Sequence, residues 1–209
     1  TAERIEKFQQ ELDAMIGNMA ALGYLTRSED GEHVTLNENI SKLLTFRSID
    51  PLYGMFLVEQ LARSSFEEKM LAMESVLQMP PMIERRTRPP EMPPGPLQSE
   101  VLEPTLIQMG LLSSMVESKA EDEEEAQGGD DYWAEEEPRP PTFPEMLKLL
   151  FLSRLPMPEE IYVQPKWIGG GVHEANSDFY RFVKSKDLLK QEGLILRHLL
   201  RLVVQCQAA

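Results

Sequence analysis

The charged residues with the most regular spacing lie near the C-terminal end. Lys186, Lys190, Gly193, Arg197 and Arg201 succeed one another at steps of four, three, four and four, the separation of neighbours on one helix face. Arg181 and Lys184 extend the positive charge upstream, and between 178 and 201 the only acids are Asp178, Asp187 and Glu192. A row of cations at this spacing suits one kind of chemistry, the neutralisation of backbone phosphates. The single glycine in the row costs about 1 kcal/mol against alanine inside a helix. One reason to keep it is the close approach of another backbone, from a protein or a nucleic acid. The competing reading is a solvated helix face, with Gly193 packed against a neighbouring helix.

Other chemistry is missing from the sequence. No glycine is followed by lysine, so there is no phosphate-cradling loop of the Gly-x-x-x-x-Gly-Lys-Ser/Thr kind. Gly169-Gly170-Gly171 reads as a flexible turn. The acids Glu121 to Glu125 lack the apolar strand that would present a magnesium-binding carboxylate. His33, His173 and His198 have no second ligand at metal spacing, and the one cysteine, Cys206, builds neither a disulfide nor a zinc site. Cys206 near a chain end also lacks the enclosing pocket that a nucleophile needs. This segment therefore has no catalytic residue, no metal site and no cofactor of its own.

The elements that must carry the basic row are helical. Leu188, Leu189, Ile195, Leu196, Leu199, Leu200, Leu202 and Val203 read as the core face of a last helix or helix pair running from Asp178 to about Gln205. At the other end Ile5, Phe8, Leu12, Met15, Ile16, Met19 and Leu22 form one apolar stripe, and Gly23 stands where a left-handed cap is wanted. Tyr24-Leu25-Thr26 and His33-Val34-Thr35-Leu36 flank Ser28-Glu29-Asp30-Gly31-Glu32, a hairpin signal. Helix followed by hairpin is the second half of a winged helix. Asn37 is placed to cap a short helix with Ile40, Leu43 and Leu44. Asp50-Pro51 opens a helix apolar nearly all round, and Ser65 with Glu68 forms a capping-box pattern for the next. Residues 80–98 are proline-rich and read as an extended crossing segment. Short helical turns are expected at Pro104–Met109 and Ser113–Val116, and Pro144 starts a helix with Leu147, Leu149, Leu150, Phe151 and Leu152. Residues 156–178 read as irregular.

The chain has 209 residues and a net charge of −14. Residues 117–137 hold eleven acids against Lys119, net −10, so the rest of the chain carries only −4. The acidity belongs to a linker that is expected to be disordered, and it does not exclude a nucleic-acid partner. No apolar stretch approaches the ~20 residues that cross a bilayer. The opening Thr1 points to a fragment with further domains upstream.

The pattern resembles a family. Leu22-Gly23-Tyr24-Leu25, Val34-Thr35-Leu36, and Ser48-Ile49-Asp50-Pro51-Leu52 with Met55-Phe56-Leu57-Val58-Glu59 resemble the winged-helix exit and first bundle helix of superkiller-type DExH-box RNA helicases of superfamily II. Glu192-Gly193-Leu194-Ile195-Leu196-Arg197-His198-Leu199-Leu200-Arg201-Leu202 is similar to the Glu-Gly-x-Ile-x-Arg-x-x-x-Arg-Leu signature of their closing DSHCT domain. Asp178-Phe179-Tyr180 through Lys186-Asp187-Leu188 is similar to bacterial members. The resemblance covers 1–80 and 172–207, and the acidic insert departs from it. It implies upstream RecA-like motor domains that bind ATP and magnesium, a cytoplasmic setting, and a helical bundle bordering the path of unwound single-stranded RNA. It places Arg197, Arg201, Lys190, Lys186, Gly193, Lys184 and Arg181 near that RNA.

The expected fold is mainly α, a helical bundle with a small winged-helix-type hairpin and an acidic linker. The expected divisions are 1–47, 48–116, 117–141 and 142–209. Its expected role is to support a helicase motor and guide single-stranded RNA. The alternative is a protein–protein interaction module, and a winged-helix transcription regulator is a third reading.

Overall fold

The structure, a computed structural model, describes residues 2–31, 33–38, 40–43, 49–112, 140–155 and 160–208. The acidic stretch 117–137, the turn expected at Ser113–Val116, and Leu44 lie outside the described residues. The molecule is mainly helical with one small antiparallel hairpin, as the sequence predicts.

Helix α1 (Ala2–Ala21) ends at Gly23, whose φ of +74° only glycine adopts without strain. Strands β1 (Leu25–Arg27) and β2 (Val34–Leu36) pair with Leu25 opposite Leu36. The Asn37 side chain ties the hairpin back to the Gly23 carbonyl at 2.9 Å. A short α2 (Ile40–Leu43) follows. Helix α3 (Pro51–Gln60) is capped by Asp50, whose carboxylate accepts the Tyr53 N–H at 2.8 Å. Helix α4 (Phe66–Ser75) begins with the reciprocal Ser65–Glu68 capping box that the sequence signals.

The proline-rich segment is less extended than its composition suggests. Proline at the first helical position loses no hydrogen bond, so Pro81 opens α5 (Pro81–Arg86) and Pro104 sits in the first turn of α6 (Glu103–Gln108). Only residues 88–95 between them lie outside regular helical structure or turns. Glu68 pins the end of this strap, accepting the N–H groups of Leu97 (3.3 Å) and Gln98 (2.7 Å). Helix α7 (Phe143–Arg154) starts from a second capping box, Thr142 with Glu145. The last elements are α8 (Gly169–Glu174), α9 (Phe179–Ser185) and α10 (Glu192–Ala208).

Helix α4 is the hub, packing against α7, α8 and α10. The main core runs from Tyr24 through Leu52, Tyr53, Phe56 and Leu57 of α3, Leu71 to Leu77, and Leu102 and Leu106, to Phe143, Met146, Leu147, Leu150 and Phe151 of α7 and Leu202 of α10. One core therefore joins residues from both sides of the acidic stretch. A second cluster, Ile83, Ile168, Phe182, Val183, Leu188 and Ile195, fixes α9 and α10 beside α5.

The triple glycine is not a flexible turn. It forms the start of α8, and large side chains crowd it: a Cβ on Gly169 would lie 2.5 Å from Met70 and 2.8 Å from Glu74. On Gly170 it would overlap the Trp167 ring, and on Gly171 it would lie 2.5 Å from Phe182. The glycines serve close packing, and the 156–178 stretch is correspondingly not wholly irregular.

Candidate nucleic-acid interface

The basic residues are presented by two helices and the turn between them. Asp178 caps α9 by accepting the Arg181 N–H at 2.9 Å. At its far end Asp187 turns the chain with a φ of +53°, and a 3-10 turn (Leu189–Gln191) leads into α10. Arg86 of α5 clamps this turn, donating to the carbonyl of Asp187 at 2.5 Å and to its carboxylate at 2.6 Å. Lys186 and Lys190 thus lie before α10 begins, and the five-residue row is not one continuous helix face. The sequence spacing is helical, but the left-handed residue at 187 breaks the helix inside it.

Arg181, Lys184, Lys190 and Arg197 are exposed, and Lys186 and Arg201 are half-buried. Among the described residues none of these six cations has an ion pair with a carboxylate. Two of the three acids interspersed with them are already engaged: Asp178 as a helix cap and Asp187 by Arg86. Gly193 is exposed in the first turn of α10, and a Cβ there would meet nothing within 4 Å. No described neighbouring helix packs on it, so that explanation of the glycine falls.

The core face of α10 also differs from expectation. Ile195, His198, Leu202 and Gln205 are buried and Leu199 is half-buried, whereas Leu189, Leu196, Leu200 and Val203 are exposed. With 3.6 residues per turn, 195, 198, 202 and 205 share one side, and 193, 196, 200 and 203 share the opposite side. So many leucines cover both sides of the helix, and composition alone does not say which faces inward. Arg197 and Arg201 stand along one border of the outward apolar stripe, with Val204 within it. The outer surface of α10 is therefore divided into an apolar strip and a basic edge.

Sequence spacing carries no sign of the interior polar network behind this surface. The buried Glu74 carboxylate accepts the N–H groups of Ile168 and Gly169, each at 2.6 Å, and lies 3.6 Å from His198 Nε2. Lys166 is wholly buried, donating to the carbonyls of Gln164 (2.9 Å) and Ser75 (3.4 Å) and to the Tyr162 hydroxyl (3.1 Å), with Glu84 at 3.7 Å. Burial pulls its amine down to about 8, against the opposing charges of Glu84 and Glu74. Tyr162 in turn donates to Glu84; burial and that carboxylate hold the phenol well above its ordinary range. The two carboxylates stand about 80 to 125 residues from the groups they hold, so no local motif marks them. The cavity of about 990 Å³ in the described chain lies elsewhere, among Pro89, Pro90, Pro93, Pro94, Pro140 and Phe143, and Lys166 does not line it. The network joins α4, α5, the Tyr162–Ile168 segment and α10. It ties these elements together as an internal strut.

No protein-family model, curated protein or solved structure matches this chain. The reading of the site rests on its own geometry. Among the described residues no group of three or more His, Cys, Asp or Glu is placed to hold a metal ion. None of the described helices is long and apolar enough to cross a membrane.

Proposed function

We propose that this chain is an accessory region of an ATP-dependent RNA helicase, whose α9–α10 edge guides single-stranded RNA by its phosphates. The observation that carries the reading is the set of six cations without carboxylate partners among the described residues. Elsewhere Lys7, Arg27, Arg86, Lys148 and Lys166 meet acids within 4 Å, and the other described cations without such a pair, Arg4, Arg63, Lys69, Arg85 and Arg154, each lie on a different element. Unpaired cations next to an open glycine offer charge and room for a strand, without base-specific contacts. ATP and magnesium would be bound by RecA-like motor domains, and the cytoplasm is the setting that goes with this role. The apolar strip of Leu196, Leu200 and Val203 would then face the motor.

That strip also favours a second reading, a protein–protein interaction module with no RNA role. Photo-cross-linking of the chain to a uniform single-stranded RNA, followed by peptide mapping, separates the two. Adducts concentrated between Arg181 and Arg201 support the RNA reading. Adducts scattered over the chain, or none above a protein of matched charge, favour the interaction module.

A further inference from the structure

Among the described residues, little covers helix α1. It meets the body at its C-terminal end, where Met19 packs against the main core, Asp13 pairs with Arg27 at 3.3 Å, and β1 lies alongside. Over Arg4–Met15 only Glu11 is even half-buried. On this stretch Ile5, Phe8, Leu12 and Met15 remain 61%, 64%, 46% and 39% exposed. A helical stretch of this length without tertiary contacts is marginal in water.

The spacing of the uncovered side chains restricts what can cover them. Ile5, Phe8, Leu12, Met15, Met19 and Leu22 alternate strictly at three and four residues, the narrow seam of a two-stranded coiled coil. The same register puts Gly17 on the outermost line, and a Cβ there would meet nothing within 4 Å. The residues bordering the seam are Arg4, Glu11 and Asn18 on one side and Gln9 and Ile16 on the other. In a parallel pair of identical helices Arg4 faces Gln9 and Glu11 faces Ile16, with no like charges opposed. In an antiparallel pair centred on the Ile5–Met15 stretch Glu11 faces Glu11. The uncovered seam amounts to roughly 400 Å² of apolar surface per copy, about 800 Å² for two copies, which is the size of a weak, concentration-dependent contact.

We propose that α1 is a self-association helix, by which two copies of this chain pair in parallel along Ile5, Phe8, Leu12 and Met15. This contact is independent of the RNA reading, since it uses none of the residues of the α9–α10 edge.

Sedimentation equilibrium of the whole chain from about 1 to 200 μM tests it. The mass should rise with concentration from 23.9 kDa towards twice that value. Phe8→Glu with Leu12→Glu should weaken association at least ~30-fold, whereas Leu200→Glu on α10 should leave it unchanged. In case the double variant loses helix, Leu12→Cys in a Cys206→Ser background gives a second measurement. Mild oxidation should link two copies through position 12, and Gln10→Cys on the outer face should not link them. A chain that stays monomeric throughout the range overturns the proposal. So does a dimer indifferent to the α1 changes but lost in Leu200→Glu, or cross-linking at position 10 and not at 12.

Discussion

Replacing Lys166 by Met removes a wholly buried amine whose titration is displaced from 10.5 to about 8. At about 1.4 kcal/mol per pH unit, this displacement corresponds to on the order of 3 kcal/mol against the folded state when the amine is charged in both states. The sign follows from proton binding. Between pH 8 and 10 the unfolded chain keeps the proton on Lys166 and the folded chain sheds it, so stability should rise with pH. About 2 kcal/mol should be recovered by pH 10. Towards pH 10 and above, Tyr162, Tyr53 and Tyr24 work against the rise, because folding favours their protonated forms. Cys206 also opposes the rise, its thiol being held up by burial and by Glu74, so both proteins should carry Cys206→Ser. Urea unfolding at half-unit steps from pH 7 to 10 provides the measurement. The parent should gain stability across the window and Lys166→Met should not. At pH 7 the variant should be less stable than its parent, because removing the amine alone leaves Glu84 without its cation and the Gln164 and Ser75 carbonyls without a donor. A parent curve flat from pH 8 to 10, or a rise that survives in the variant, would refute the assignment of a buried, depressed amine.

Three further outcomes follow from the packing. Gly170→Ala forces a methyl into the Trp167 ring and should destabilise by at least ~2 kcal/mol, while Gly193→Ala faces open space and should stabilise by up to about 1 kcal/mol; thermal unfolding of the pair reads both. Glu74→Gln leaves one of the buried Ile168 and Gly169 N–H groups facing an amide NH₂, and a loss of about 2–4 kcal/mol is expected in denaturant titration. Tyr53 buries a hydroxyl with no hydrogen-bond partner among the described residues, so Tyr53→Phe should raise the unfolding midpoint, consistent with about 1 kcal/mol.

The signals that read correctly in the sequence are local ones. Asp50-Pro51, Ser65 with Glu68, and Gly23 each act within one helical turn, so their chemistry is visible without the fold. The hairpin is equally readable from its β-prone runs around Asp30-Gly31. What the sequence hides depends on groups distant along the chain. Gly169–Gly171 looks flexible until Met70 and Glu74, about a hundred residues earlier, are set against it with the nearer Trp167 and Phe182. The row from Lys186 to Arg201 looks like one helix face until the left-handed turn at Asp187, held by Arg86 from about a hundred residues away, divides it. For α10, leucine on both sides conceals which stripe packs inward, and His198 and Gln205 take buried places that a hydrophobic pattern assigns elsewhere. For the candidate site residues, their place within the last two helices and the turn joining them is legible; the apolar strip on the last helix is not.

The most direct test of the RNA reading is the salt dependence of binding to a uniform single-stranded RNA, compared between the parent chain and Arg197→Ala with Arg201→Ala. Removing one cation from a phosphate should reduce the slope of log affinity against log salt by about 0.7, so the double variant should show a slope smaller by about 1.4. Affinity should fall similarly for RNAs of different sequence. Stability should change by no more than ~1 kcal/mol per residue, because both arginines lack ion-pair partners among the described residues. Unchanged affinity and slope in a folded double variant would contradict the proposal and leave the apolar strip of α10 as the functional surface.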